Sequence, residues 1–344
     1  MKICAITNYS NTGYVNEPLI FQKISSVLDI TEEDTFDFLN FNSAYKVNKN
    51  YTHALILFDY KSTSIQPYQE YLDEVEIPKI FIVDTICDKH KDLNKEFVDN
   101  YLDNQPYSFN GLSQDLNSIL YENYADGLIF FSELDKHLFK EYYPKAFNKP
   151  STIIPPSLGK KEDIKINFNN VSPNNLIGFN GIPSYQNGFH SIGNTMSNLP
   201  NTNLNVFGSH GREDSNVELL FNHILQNNHN IKFHGRLKNY NNFYKTHHIY
   251  LNTAIYDSFD YFTFLSLLNG MVPIISKNTG TSSHFNSYPF IADPTPQSIK
   301  YNIELVLNTP MSYLKDILSN TLGFLKELSD ENIKEKYQTF LNKI

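Results

Sequence analysis

Asp257 and Asp260 stand in a short loop between an apolar run, Ile249-Tyr-Leu-Asn252, and a hydrophobic stretch that stops at Asn269-Gly270. A second apolar run, Val272 to Ser276, follows and ends in the polar turn Lys277-Asn-Thr-Gly280. The pattern predicts strand, loop, helix, strand and turn. Such a unit offers a ligand one helix N-terminus and one glycine turn at the carboxyl ends of parallel strands. A carboxylate there can accept hydrogen bonds from substrate hydroxyls and hold the reacting centre in place. Asp257 and Asp260 are both candidates for that role. Asp260, directly before the predicted helix, is also placed to cap it.

Other chemistries find less support. His247 and His248 are adjacent in sequence, so their side chains diverge on either a helix or a strand and do not share a metal. The chain has no dinucleotide or P-loop glycine motif, no H-E-x-x-H and no G-x-S-x-G. It has no D-x-D metal motif either. Its two cysteines, Cys4 and Cys87, lack both zinc spacing and a disulfide pattern. No metal and no cofactor are expected. The 23 tyrosines and 26 phenylalanines fall mostly inside strand and helix patterns, which makes them core residues and not a base-stacking platform.

The elements that must position these residues alternate throughout. In the first half, strands are predicted at Lys2–Asn8, Ala54–Asp59, Lys79–Thr85, Gly127–Phe131 and Thr152–Pro155. Helices are expected near Glu17–Leu28, Pro67–Val75, Leu116–Tyr124 and Glu133–Tyr143. A polar, turn-rich linker spans 158–174, after which the alternation restarts. Strands follow at Leu176–Asn180, Leu204–Gly208, Ile231–His234 and Phe290–Asp293, with helices at Gly188–Leu199, Val217–Gln226, Asn239–His247, Pro296–Leu307 and Met311–Lys343. Repeated βα units imply mostly parallel sheets, and 344 residues suit two domains.

The Tyr256–Gly280 stretch resembles the signature region of GT-B glycosyltransferases, in particular the retaining group that includes glycogen synthase, which reads E-x-F-G-L-x-x-L-E-A-M-A-x-G-x-P-V-I-x-S. Aligned on Gly270 and Pro273, Asp257 takes the first acidic position, which implies the ligand-positioning role for it, Phe259 takes the family's Phe, and Leu265 the second Glu. Phe131-Ser-Glu133 with Leu138, and Ile153-Ile-Pro-Pro156, match two further family segments. The Tyr261–Gly280 part also resembles a phage α-glucosyltransferase acting on hydroxymethylcytosine in DNA. The resemblance implies an α/β GT-B fold of two Rossmann-like domains facing a cleft. Their expected extents are 1–157 on the acceptor side and 175–325 on the donor side, with residues 326–344 a helix crossing back to the first.

What the resemblance implies for function is transfer of a sugar from a nucleotide-sugar, as co-substrate, to an acceptor hydroxyl, with retention and without a metal. The family's G-R-x-x-x-x-K-G, whose Arg and Lys bind the donor diphosphate, matches Gly181 to Gly188 here, with Ile182 and Asn187 in place of the two cations. Leu265 removes the carboxylate expected on the ribose. Positive charge must then come from elsewhere, and Arg212, Arg236 and Lys238 lie in loops after predicted strands. Backbone N–H groups at the Tyr261 helix start and at Thr279-Gly280 are expected to add to it. Gly13 falls where the family's first loop approaches the diphosphate, its missing side chain permitting close contact. On the acceptor side, Asp84, Thr85, Asp88 and His90 share one loop after a strand, with Asp84 nearest the cleft.

Charge bears on the acceptor. Residues 1–150 carry 13 Lys+Arg against 23 Asp+Glu, a balance of −10, and the remainder 15 against 14. An acidic acceptor-side domain disfavours DNA and points to a glycan, lipid-linked or protein acceptor. The lost cations and the Leu265 carboxylate position keep open a non-catalytic subunit that binds glycan or a partner glycosyltransferase. The chain opens on a strand pattern and not a signal peptide, and no run of about 18 apolar residues occurs. The expectation is a cytoplasmic protein.

Overall fold

The computed structural model describes residues 2–7, 19–37, 44–57, 66–83, 89, 92–93, 95–96, 114–168, 176–208 and 215–344. Its contacts separate into two compact units, each built on a six-stranded sheet whose pairs are all parallel.

The first unit carries β1 (Ile3–Thr7), α1 (Leu19–Leu28), β2 (Thr35–Asp37), α2 (Ala44–Asn50), β3 (His53–Leu57), α3 (Gln66–Glu74) and β4 (Lys79–Val83). It continues through α4 (Gln114–Tyr124), β5 (Gly127–Phe130), α5 (Glu133–Tyr142) and β6 (Ser151–Ile153). The strand order is β2-β1-β3-β4-β5-β6. Its central strands are continuous apolar runs because both faces are covered: Cys4 to Ile6, Ala54 to Ile56 and Leu128 to Phe130 have no exposed surface. Ser132 starts α5, its Oγ accepting from the Asp135 N–H at 3.1 Å and donating to the Asp135 carboxylate at 2.6 Å. The short strand β2 and the polar helix α2 escape a periodicity reading. Three residues give no alternation, and α2 buries little beyond Ala44 and Val47.

The second unit contains β7 (Leu176–Asn180), α6 (Phe189–Met196), β8 (Asn203–Phe207), α7 (Ser215–Asn227), β9 (Ile231–Phe233), α8 (Tyr240–Thr246) and β10 (Ile249–Asn252). It closes with α9 (Tyr261–Leu268), β11 (Val272–Ser276), β12 (Ile291–Ala292), α10 (Pro296–Asn308), α11 (Met311–Asn320) and α12 (Leu322–Lys326). The order β12-β11-β10-β7-β8-β9 reverses direction between β7 and β10. In an open parallel sheet that reversal parts the loops at the carboxyl ends and leaves a crevice for ligand.

The C-terminal stretch is not one helix. Thr321 ends α11, its N–H and Oγ1 both donating to Leu318 O. A second break at Leu328-Ser329 is imposed by pairing with the chain after β6: the Leu158 N–H donates to Leu328 O and the Asp330 N–H to Gly159 O, each at 2.8 Å. The last helix, α13 (Asp330–Leu341), belongs to the first unit, packs on α1 and pairs Lys334 with Asp29. Residues Glu162–Lys326 cluster with the second unit. Among the described residues no helix is long and apolar enough to cross a membrane.

Candidate functional site

The loops at the β7/β10 reversal are locked together by backbone contacts. Gly188 precedes α6 with φ +71°, and a Cβ there would lie 2.0 Å from Thr253 O. The Thr253 hydroxyl donates to Asn187 O at 3.0 Å and the Ile255 N–H to Gln186 O at 2.7 Å. Gly181 continues the β7 edge, its N–H donating to Phe207 O at 2.8 Å. The Asn187 side chain turns back on its own loop, Nδ2 donating to Ile182 O at 2.8 Å. Ile182 stands 44% exposed where the sequence resemblance expects a cation. This loop is therefore shaped by its glycines and closed by an amide, with no charge of its own.

The Asp257–Asp260 loop lies beside the Thr279-Gly280 turn. The Gly280 N–H donates to Asp257 O at 2.7 Å, and Asp257 and Thr279 form a parallel bridge. Asp257 is half-buried. Asp260 caps α9: Oδ1 accepts from the Phe262 N–H at 2.9 Å, and Oδ2 accepts from the hydroxyls of Thr263 at 2.8 Å and Tyr250 at 3.0 Å. Its own N–H donates to Thr281 Oγ1 at 2.7 Å. Enclosure of the carboxylate pushes its pKa above the usual range, against the pull of those donors. Burial, reinforced by the Asp260 charge, drives the Tyr250 phenol well above its ordinary value.

Two expectations from sequence can be set beside these contacts. Three of the N–H groups at the start of α9 and in the turn meet internal acceptors: Phe262 donates to Asp260, Thr279 to Ser276 O and Gly280 to Asp257. Phe259 is 4% exposed and stacked on Phe264 at 4.6 Å, while Tyr261 is 5% exposed, so both rings are core packing. Lys277 of the same turn pairs with Asp293. Leu265, at the family's second acidic position, packs with Phe262 against Leu237, Phe243 and Tyr250.

Positive charge gathers one strand further out. The ends of β8 and β9 enclose a cavity of about 300 Å³ that includes Phe207, His234, Arg236, Lys238, Phe243 and His247. His234 stacks on Phe207 with centroids 5.0 Å apart and planes 17° from parallel. A hydrogen-bonded chain sets the tautomers. His247 Nδ1–H donates to Phe243 O at 2.8 Å, so Nε2 accepts from Asn205 Nδ2 at 3.0 Å. Asn205 Oδ1 in turn accepts from His234 Nε2 at 2.8 Å. Burial holds His247 below the ordinary imidazole value, which keeps the ring neutral as this chain requires. Arg236 and Lys238 are exposed and make no ion pair or side-chain hydrogen bond among the described residues. A cavity lined by stacked rings and by two cations with no partner among the described residues suits a planar group bearing phosphates.

Arg236 and Lys238 are thus brought to one cavity, while Asp257, Asp260, Thr279 and Gly280 meet at the ends of β10 and β11. Gly13, Asp84, Asp88, His90 and Arg212 lie outside the described residues, as does Thr85. Sequence reading considered His247 only as half of a metal pair and passed over Asn205, Phe207 and His234. The one visible signal was the position of Phe207 and His234 at the ends of strands expected to open on the cleft; Asn205, in the middle of β8, carried none.

No protein-family model matches the sequence, and no curated protein does. Solved structures do. HepE of Anabaena, in complex with UDP and glucose, aligns over 100% of both chains with a TM-score of 0.73 at 12% identity. The UDP-forming α,α-trehalose-phosphate synthase of Burkholderia xenovorans covers 99% of this chain and 100% of its own, with a TM-score of 0.70 at 9% identity. Sucrose-phosphate synthase of Thermosynechococcus elongatus covers 95% and 79%, with a TM-score of 0.68 at 13% identity. The fold is that of the GT-B glycosyltransferases, with two six-stranded parallel sheets flanked by helices.

Proposed function

We propose that this protein is a glycosyltransferase that moves a sugar from a nucleotide-sugar donor to an acceptor hydroxyl. The observation that carries the reading is the cavity at the ends of β8 and β9, lined by Arg236 and Lys238, which make no ion pair among the described residues, and by the stacked Phe207 and His234 rings. It lies in a fold whose solved relatives include complexes with UDP and UDP-glucose, which recommends a uridine nucleotide first. In this reading Arg236 and Lys238 replace the cations absent at Ile182 and Asn187 and meet the charge developing on the departing diphosphate. Asp257 accepts hydroxyls of the transferred sugar and positions its anomeric carbon. Asp260 acts through the loop, as the cap that holds α9 and the Asp257 segment in place. Transfer with retention and without a bound metal follows the resemblance of the Tyr256–Gly280 stretch. The acceptor is a glycan, lipid-linked or protein hydroxyl, since residues 1–150 carry a balance of −10 that repels DNA.

A second reading, a non-catalytic GT-B subunit, draws on the internal commitments of Asn187, Phe262 N–H and Gly280 N–H, which leave fewer donors for a diphosphate. Thermal unfolding with UDP, ADP, GDP and dTDP separates the two. A nucleotide at 100 times its dissociation constant stabilises the fold by about 2.7 kcal/mol. Arg236→Ala removes a charge-assisted contact of about 1.5–3 kcal/mol, an expected weakening of roughly 10- to 150-fold. A shift with one nucleotide that Arg236→Ala abolishes supports the enzyme. A folded protein that responds to none favours the non-catalytic subunit, and a shift that Arg236→Ala leaves intact moves the donor site elsewhere.

A further inference from the structure

A second and larger cavity, about 460 Å³, opens on the other side of the second unit, between the segment 284–290 and helices α10, α11 and α12. It shares no residue with the cavity at β8 and β9. Its size falls within the range of about 300–1,000 Å³ usual for small-molecule sites.

The chemistry of its lining is specific. The floor is aromatic and apolar: Phe285, Tyr288 and Phe290 are 5%, 6% and 1% exposed. One wall is rigid, because His284 stacks on Phe324 with planes 13° from parallel and sits edge-on to Phe259 at 5.8 Å. The rim is polar and uncharged. Asn286, Ser287, Tyr313 and Asn320 are exposed and make no side-chain hydrogen bond among the described residues. Among the described residues no Asp, Glu, Lys or Arg lines the cavity.

Each feature narrows the occupant. An anionic ligand such as a nucleotide would surrender hydration with no cation to replace it. A purely apolar ligand would strip water from four amide and hydroxyl groups and return nothing. What fits aromatic faces below and neutral donors and acceptors above is a ring with apolar C–H faces and a hydroxylated edge. We propose that this cavity is a secondary binding site for a neutral saccharide, distinct from the donor cavity. It stands whether or not the donor reading is correct.

The test is equilibrium binding to the full chain, by titration calorimetry and ligand-observed NMR, of methyl α-glucoside, N-acetylglucosamine, maltotriose and cellotriose. Inorganic phosphate and octanol serve as anionic and apolar controls. Tyr313→Ala and Asn320→Ala are the variants, because both side chains are exposed and make no hydrogen bond among the described residues. At least one saccharide is expected to bind saturably, with each variant weakening it about tenfold, the equivalent of one lost hydrogen bond or ring contact. UDP is expected neither to compete nor to bind differently to the variants. The proposal is overturned if no saccharide binds, if UDP displaces the saccharide, or if both variants bind it like the parent protein. Binding of octanol but no saccharide likewise overturns it, by making the cavity an apolar site.

Discussion

Replacing Asp260 distinguishes a residue that holds the site together from one that touches substrate. Its carboxylate caps α9 through the Phe262 N–H and accepts two further hydroxyl hydrogen bonds, from Thr263 and Tyr250. Those partners are 0% and 2% exposed, so neither hydroxyl can turn to bulk water when the carboxylate goes. In Asp260→Ala, loss of the cap costs about 1 kcal/mol. Each orphaned hydroxyl adds about 1–3 kcal/mol, for a total of about 3–7 kcal/mol. Relief of the buried charge offsets part of this, because burial raises the Asp260 pKa and so penalises the ionised form. A net loss of about 2–5 kcal/mol in urea unfolding is expected. Asp260→Asn keeps a good capping residue without the charge and should lose about 1–2 kcal/mol. A carboxyl whose folded pKa is raised contributes most below the usual carboxylate range and loses ground as pH rises through it. The deficit of Asp260→Asn relative to the parent should therefore narrow between pH 4 and pH 7. If Asp260→Ala cost less than about 1 kcal/mol while abolishing nucleotide binding, the hydrogen-bonded cap would be the wrong account and Asp260 would be a ligand group.

Other substitutions probe the loops and the buried imidazoles. Gly188→Ala combines left-handed strain of about 1–2 kcal/mol with a Cβ 2.0 Å from Thr253 O, whereas Gly235→Ala, at φ +70° with nothing within 4 Å among the described residues, meets the strain alone. Urea unfolding should show Gly188→Ala the more destabilised of the two, and equal losses would mean that the Thr253 loop yields. Burial pushes His190 down to about 4 from an ordinary 6.5. Its neutral form therefore stabilises the fold above pH 6.5, by roughly 3 kcal/mol at most, and that contribution disappears as pH falls toward 4. Thermal midpoints of His190→Phe should decline less between pH 7 and pH 4.5 than those of the parent. His247 and His248, depressed in the same direction, keep some slope. A parallel decline in both proteins would show that His190 titrates normally in the fold.

The alternation of elements could be read from residue order because buried parallel strands announce themselves as short apolar runs between capped helices, whereas the GT-B architecture was legible only through the family resemblance of the Tyr256–Gly280 stretch. The runs at Cys4–Ile6, Ala54–Ile56, Leu128–Phe130 and Val272–Ile275 are such strands, and α9 stops at Asn269-Gly270 as its local chemistry demands. Asp260 before Tyr261 likewise declared a cap. What residue order could not decide was how the loops spend their polar groups. Asp260 meets Tyr250 and Thr281, ten and 21 residues away, and Gly280 N–H finds Asp257 O. Asn187, a match by spacing to a donor lysine, closes its own loop. The cavity lined by Arg236 joins the ends of two strands, and the larger one joins segments from 284 to 324. Local periodicity reports which face of an element is buried. Which buried donor meets which acceptor depends on neighbours that only the folded chain brings within 3 Å.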